Sequence, residues 1–268
     1  MHNLHVTTWN QNHPFTTPIL ALHGFTGSGL DFECFTQKTL NYFSWYAPDL
    51  LGHGKSPIPH KLNDYSLESH IHYLDKITLN LPTGSPWVLL GYSMGGRLAL
   101  KYALERPQNI KHLILISSTP GILDNHERLL RQQTDNLLDA KILGEGVANF
   151  INFWQELPII QSQKNIPPSI REPLLKRKFN NHPLGLANSL LKMGTGQMLP
   201  LWNRLSEIKF PITLITGEKD FKFTEIAHQM KHNIPHLEHH IIPNTGHAAI
   251  WEHPISLMNL LILNPNLQ

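Results

Sequence analysis

Short apolar runs that end in turn residues recur along the chain: PILALHGFTG (18–27), SWYAPDLLGHG (44–54), WVLLGYSMGG (87–96) and HLILISSTPG (112–121). Each is too short for a helix and is bounded by glycine or proline, so each predicts a buried strand running into a loop. Between the second and third runs, Leu67, Ile71 and Leu74 follow Ser66 at helical spacing. Strands that alternate with helices predict βαβ units, hence a mostly parallel central sheet flanked by helices, an α/β fold.

From 122 to 206 the pattern changes. Leu129 with Leu130 and Leu137 with Leu138 fall at helical spacing, two prolines stand together at 167–168, and no strand-like run occurs. PITLITGEKD (211–220) then restores a strand, followed by a helix around 224–233, a strand in LEHHIIPNTGH (237–247) and a closing helix near 254–263. The division expected is a core formed by 1–121 and 207–268, with 122–206 as a helical insertion. No internal repeat or low-complexity tract suggests a solenoid or propeller.

Composition narrows the function classes. Of the 268 residues 41% are apolar, enough for a sizeable core, and only 16% are charged, with a net charge of +2. The basic residues form no stripe that would track a phosphate backbone, so nucleic acid is not an expected partner. The opening MHNLHVTTWN lacks a basic stretch followed by an apolar one, and no apolar run approaches the roughly 18 residues of a membrane helix. Cys34 is the only cysteine, so no intrachain disulfide can form and no cysteine cluster can hold a metal. A cytoplasmic protein without membrane or metal is the expectation. Neither metal-ligand spacing nor a phosphate-cradling G-x-x-x-x-G-K-[ST] loop is present, so no cofactor is expected.

The candidate chemistry starts at Gly91-Tyr92-Ser93-Met94-Gly95. This G-x-S-x-G follows an apolar strand run and precedes the helix-forming GRLALKYALE, the strand-turn-helix setting of a nucleophile elbow. A serine hydroxyl is inert at neutral pH unless a base lies in hydrogen-bond reach and a third group orients that base. Those partners are expected downstream, acid before histidine. Asp220 closes ITLITGEKD, with Glu218 as the rival acid, and His247 follows the last strand run in a Gly246-His247 loop. His239 and His240 lie within a strand pattern and read as structural. His23-Gly24-Phe25-Thr26-Gly27 ends an early strand, where one backbone donor of an oxyanion hole is expected at Phe25 and the other at Met94. Asp49-Leu50-Leu51-Gly52-His53-Gly54 reads as a structural loop in which His53 is no ligand.

With these residues the chain resembles the α/β-hydrolase superfamily over nearly its whole length. That fold hosts esterases, lipases, C–C hydrolases, lyases and non-catalytic receptors, so the triad alone names no substrate. Flanking cations add information. Arg97 stands at the start of the helix after the nucleophile, where a cation opposes the helix dipole and calls for an anion, from substrate or from a nearby carboxylate. Arg128, Arg131 and Lys176-Arg177-Lys178 lie in the insertion. Several cations over one pocket suggest a small-molecule polycarboxylate.

A narrower resemblance rests on HGFTGSGLDFE, GYSMGGR, TPGIL followed by Arg128 and Arg131, Phe153-Trp154, NNHPLGLANSLLKMGTGQ, GEKDFKF and the Gly246-His247 loop, in that order. Over residues 18–255 these resemble the 2-succinyl-6-hydroxy-2,4-cyclohexadiene-1-carboxylate synthases of menaquinone and phylloquinone biosynthesis. The resemblance implies an α/β-hydrolase fold with the helical cap inserted after the sixth strand, and a lyase that eliminates pyruvate from 2-succinyl-5-enolpyruvyl-6-hydroxy-3-cyclohexene-1-carboxylate. It implies Ser93, Asp220 and His247 as triad, with Ser93 the base that takes a carbon-bound proton, and Tyr92, Arg97, Arg131 and Trp154 as substrate contacts. A further family arginine falls at Lys178, which leaves adjacent Arg177 as an alternative source of the charge. Ile250 stands where relatives often carry a histidine. A carboxylesterase or C–C bond hydrolase with the same triad is the alternative, and a ligand receptor that keeps the triad is a third reading.

Overall fold

The computed structural model describes residues 2–11, 13, 15–82, 86–234 and 236–267. Seven strands form one sheet: β1 (Val6–Trp9), β2 (Thr17–Leu22), β3 (Phe43–Pro48), β4 (Trp87–Tyr92), β5 (Ile110–Ile116), β6 (Ile212–Gly217) and β7 (Leu237–Ile242), in the order β1-β3-β2-β4-β5-β6-β7. Only β1 is antiparallel to its neighbour; every other pairing is parallel. The central strands read as unbroken apolar runs because both faces are covered. Leu20, Leu89 and Leu113 enter one core, while Ile19, Leu90 and Ile114 enter the other.

Helices α2 (Leu67–Thr78) and α3 (Met94–Glu105) pack against the first core, and α7 (Phe221–Asn233) joins them through Ala227 and Met230. α1 (Glu33–Thr39) and α9 (Pro254–Leu263) cover the other face, with Leu257 and Leu261 buried there. The spacing read from the sequence at Leu67, Ile71 and Leu74 is the buried stripe of α2. Ser66 starts that helix by accepting the Ser69 N–H on its side-chain oxygen at 3.1 Å, which satisfies one of the donors left free at a helix start.

Between β5 and β6 no strand occurs among the described residues. The segment holds α4 (Asn125–Gln155), kinked at Gly146 (φ 81°), then α5 (Pro168–Phe179) and α6 (Pro183–Met193). A separate apolar cluster of Ile142, Phe150, Ile151, Leu186 and Leu190 joins α4 to α6. The insertion leaves the sheet after the fifth strand and not the sixth, because only the short β1 precedes the strand that starts at Thr17. α8 (Ala249–Glu252) is a single turn behind the last loop. Among the described residues no helix is long and apolar enough to cross a membrane.

Candidate active site

Ser93 sits on the turn between β4 and α3 with φ 50° and ψ −108°, a left-handed conformation that is costly for a residue with a side chain. The end of β5 and the loop after it hold it. The Ser93 N–H donates to the Ile116 carbonyl at 2.9 Å, and Ser118 Oγ donates to the Ser93 carbonyl at 3.1 Å. The turn is possible because the flanking positions lack side chains. A Cβ on Gly95 would lie 2.2 Å from the Leu22 carbonyl oxygen, and one on Gly91 2.5 Å from the Gly95 carbonyl oxygen.

Asp220 caps the end of the β6 loop and His247 follows β7, so the three side chains meet at the carboxyl ends of parallel strands. His247 Nε2 is 3.0 Å from Ser93 Oγ, and His247 Nδ1 is 2.9 Å from Asp220 Oδ2. Asp220 and His247 are buried. Glu218 is spoken for elsewhere: its Oε2 accepts the Asn244 N–H at 2.8 Å. The arrangement can move a proton from the serine hydroxyl to the imidazole with a carboxylate facing the far nitrogen.

The early loop is set by a histidine of known tautomer. Leu50 N–H donates to His23 Nε2 at 2.9 Å, so the proton is on Nδ1, which donates to the Gly24 carbonyl at 2.7 Å. That fixes the backbone on the N-terminal side of Phe25, and Phe25 and Met94 both line the cavity in front of Ser93. His53 is buried and lies outside the cavity lining, its ring edge-on to Phe25 at 5.8 Å; burial and the neighbouring His23 push its pKa well below the ordinary value. His239 is paired with Thr216 at 2.8 Å.

Of the candidate cations, Arg97, Arg131 and Lys178 line the cavity. Arg97 is buried and donates to the Met193 carbonyl; burial, then the adjacent Arg131, pull its pKa down to about 9, with Asp135 opposing. Arg131 is held at 2.8 Å by Asp135. Lys178 is buried, donates to Gln163 Oε1 at 3.0 Å and lies 5.0 Å above the Trp251 ring. Arg177 instead faces Asp31 at 3.6 Å, and Arg128 donates to Asn125; neither lines the cavity, nor does exposed Lys176. Tyr92 and Trp154 also line it, Trp154 with its ring 5.4 Å from those of Phe25 and Phe150.

Phe223, Trp251 and Gln163 are among the lining residues that have no role in the sequence reading. Phe223 places its ring 4.6 Å from that of His247, Trp251 packs edge-on to Tyr92 at 5.5 Å, and Gln163 holds Lys178. Phe223 lies inside GEKDFKF and Trp251 four residues after His247, so proximity to the motifs could have found both. Nothing in the sequence marks Gln163. Among the described residues no group of three His, Cys, Asp or Glu side chains could hold a metal ion.

The family model of the alpha/beta hydrolase fold matches residues 17–254. A putative 2-succinyl-6-hydroxy-2,4-cyclohexadiene-1-carboxylate synthase of Bacillus subtilis (strain 168) is 36% identical over 236 residues, 88% of this chain and 85% of that protein. The chain belongs to this synthase family within the α/β-hydrolase fold. The synthase of Enterobacter sp. (strain 638) is 26% identical over 89% of this chain and 88% of its own. The solved structure of MenH from S. aureus superposes with a TM-score of 0.86 at 31% identity, covering 96% of each chain. Of the two adjacent candidates Lys178 lines the cavity and Arg177 does not, facing Asp31 instead. Ile250 is fully buried in the core, and its carbonyl accepts the Cys34 thiol at 3.3 Å.

Proposed function

We propose that the chain is the lyase of its family and converts 2-succinyl-5-enolpyruvyl-6-hydroxy-3-cyclohexene-1-carboxylate to 2-succinyl-6-hydroxy-2,4-cyclohexadiene-1-carboxylate and pyruvate, in the cytoplasm. The names of the substrate and product define the chemistry. The hydrogen on C2 is α to the succinyl ketone and allylic to the 3,4 double bond, and the enolpyruvyl oxygen leaves from C5 across that double bond. Removal of the C2 proton, a shift of the double bond and loss of enolpyruvate produce the 2,4-diene, and the released enol becomes pyruvate.

Ser93 Oγ takes the C2 proton as its own passes to His247 Nε2, and Asp220 stabilises the imidazolium that forms. Charge that develops on the succinyl ketone oxygen is met by the backbone N–H groups of Phe25 and Met94. The segment 122–206 serves as the cap, bringing Arg131, Trp154 and Lys178 over the triad. The observation that carries this reading is charge: Arg97, Arg131 and Lys178 line the cavity that holds Ser93 and His247, and the substrate bears three carboxylates. An apolar ester would leave buried Arg97 and Lys178 bonded only to neutral oxygens, with no carboxylate in ion-pair contact, whereas Arg131 would keep Asp135.

The test is pyruvate release coupled to lactate dehydrogenase, with the enolpyruvyl substrate generated in situ by its upstream enzyme and Ser93→Ala as control. Release that Ser93→Ala abolishes supports the lyase. No release above background, together with burst kinetics on p-nitrophenyl esters, overturns it in favour of an ester hydrolase.

A further inference from the structure

Glu252 ends α8, five residues beyond His247, and its carboxylate grips the loop on both sides of that histidine. Oε2 accepts the Gly246 N–H at 2.7 Å and Oε1 accepts the Ala248 N–H at 3.1 Å. No Lys, Arg or His forms an ion pair with it among the described residues, so its bonding is to the loop backbone and to one side chain. That side chain is Ser162, whose Oγ donates to Glu252 Oε1 at 2.8 Å from the short 3-10 turn Gln161–Asn165 of the insertion. The turn is pressed close to the loop: a Cβ on Gly246 would meet Ser162 Oγ at 2.1 Å. The next residue, Gln163, reaches into the cavity and accepts the Lys178 ammonium at 3.0 Å.

We propose that Glu252 is a positioning residue for His247, and that Ser162 makes its grip depend on how the insertion is seated. The inference rests on the reading of Ser93 and His247 as the proton-transfer pair. The physical reason is the position of the two N–H groups. They flank His247 in sequence, so fixing both fixes the peptide planes on either side of the imidazole and with them the 3.0 Å approach of Nε2 to Ser93 Oγ. A carboxylate suits this task because it only accepts, and charge-assisted hydrogen bonds to backbone N–H groups are stronger than neutral ones. An amide in the same place turns one donor toward a donor. Through the adjacent pair Ser162 and Gln163, the turn that contacts the anion-binding ammonium is also the turn that braces the base.

The experiment compares wild type with Glu252→Gln, Ser162→Ala and Ser162→Thr by two rates. One is kcat for pyruvate release. The other is the second-order rate at which a small alkyl fluorophosphonate labels Ser93; the serine oxygen attacks phosphorus, fluoride leaves, and His247 takes the proton, with no carboxylate for Lys178 to bind. Glu252→Gln is expected to slow both rates in parallel by about 10- to 100-fold, with KM little changed, since a displacement near 1 Å costs on that order. Ser162→Ala is expected to slow both by about threefold to tenfold, and Ser162→Thr, which keeps the hydroxyl, to restore most of the loss. Labelling at the wild-type rate in both Glu252→Gln and Ser162→Ala, with only a lower thermal midpoint, overturns the inference and leaves Glu252 a structural brace. A wild type whose Ser93 is not labelled removes the proton-transfer reading and this inference with it; a labelled wild type with unaffected variants removes this inference alone.

Discussion

Lys178 donates its ammonium to Gln163 Oε1 at 3.0 Å inside the cavity, while Arg177, one residue earlier on the same helix, faces Asp31. Burial pulls the Lys178 pKa down to about 8, with Asp31 opposing the fall and Arg177 adding to it. A base in this state loses its charge as pH rises through that value, and an anion held by it is released on the alkaline side. KM for the enolpyruvyl substrate is therefore expected to rise about tenfold above pH 8, the scale of one charge-assisted contact. In Lys178→Arg the rise moves to higher pH, because a guanidinium keeps its proton. Steady-state KM measured across the pH range checks both.

The same lysine costs stability. Its folded pKa lies below its unfolded value, so the unfolded chain binds more protons between about pH 8 and the ordinary lysine range, and wild-type stability rises with pH there. Below pH 8 the cost is present in full. Lys178→Met is expected to gain about 1–2 kcal/mol in urea unfolding at pH 7 while binding substrate less tightly, and the gain should shrink toward pH 10.

Asp220 Oδ2 is the partner of His247 Nδ1 at 2.9 Å. Replacing it by an amide keeps the shape and can present a donor to the imidazole, which favours the wrong tautomer. Asp220→Asn is expected to lower kcat by about 10³- to 10⁴-fold with KM nearly unchanged. Pyruvate-release kinetics, with circular dichroism to show an intact fold, check it.

Arg97 and Arg128 separate a cation inside the cavity from one beside it. Arg97 is buried with its pKa pulled down to about 9, whereas Arg128 donates to Asn125 outside the lining. Arg97→Ala is expected to raise KM by about 10- to 100-fold, the worth of a charged hydrogen bond to a carboxylate. Arg128→Ala should change it less than about twofold. Substrate titration of the two variants decides.

Gly95 is the position at which the elbow leaves no room. A methyl there would lie 2.2 Å from one carbonyl oxygen and 2.5 Å from the next, both on the β2 side of the turn. Neither backbone oxygen can swing away as a side chain would. Gly95→Ala is expected to destabilise the fold by more than about 3 kcal/mol and to abolish activity, as measured by urea unfolding and pyruvate release.

The sequence determined the local chemistry of this protein. The apolar strand run, the G-x-S-x-G turn and the helix after it are contiguous, so Ser93, its glycines and the buried stripe of α2 were legible from spacing alone. Asp220 and His247 were legible because each ends a strand run, and parallel strands in one sheet deliver their ends to one edge. Which side chains face the cavity was decided only by the tertiary structure. Arg128 and Arg131 stand three apart on one helix, and Arg177 and Lys178 are neighbours, yet in each pair only the second lines the cavity. That choice follows from how α4 and α5 lie over the sheet, which depends on contacts between residues far apart in the chain. Gln163 and the Ser162–Glu252 bond were invisible for the same reason, as was the position of the insertion after the fifth strand. Local pattern sets what each segment is, and packing between segments sets what its side chains meet.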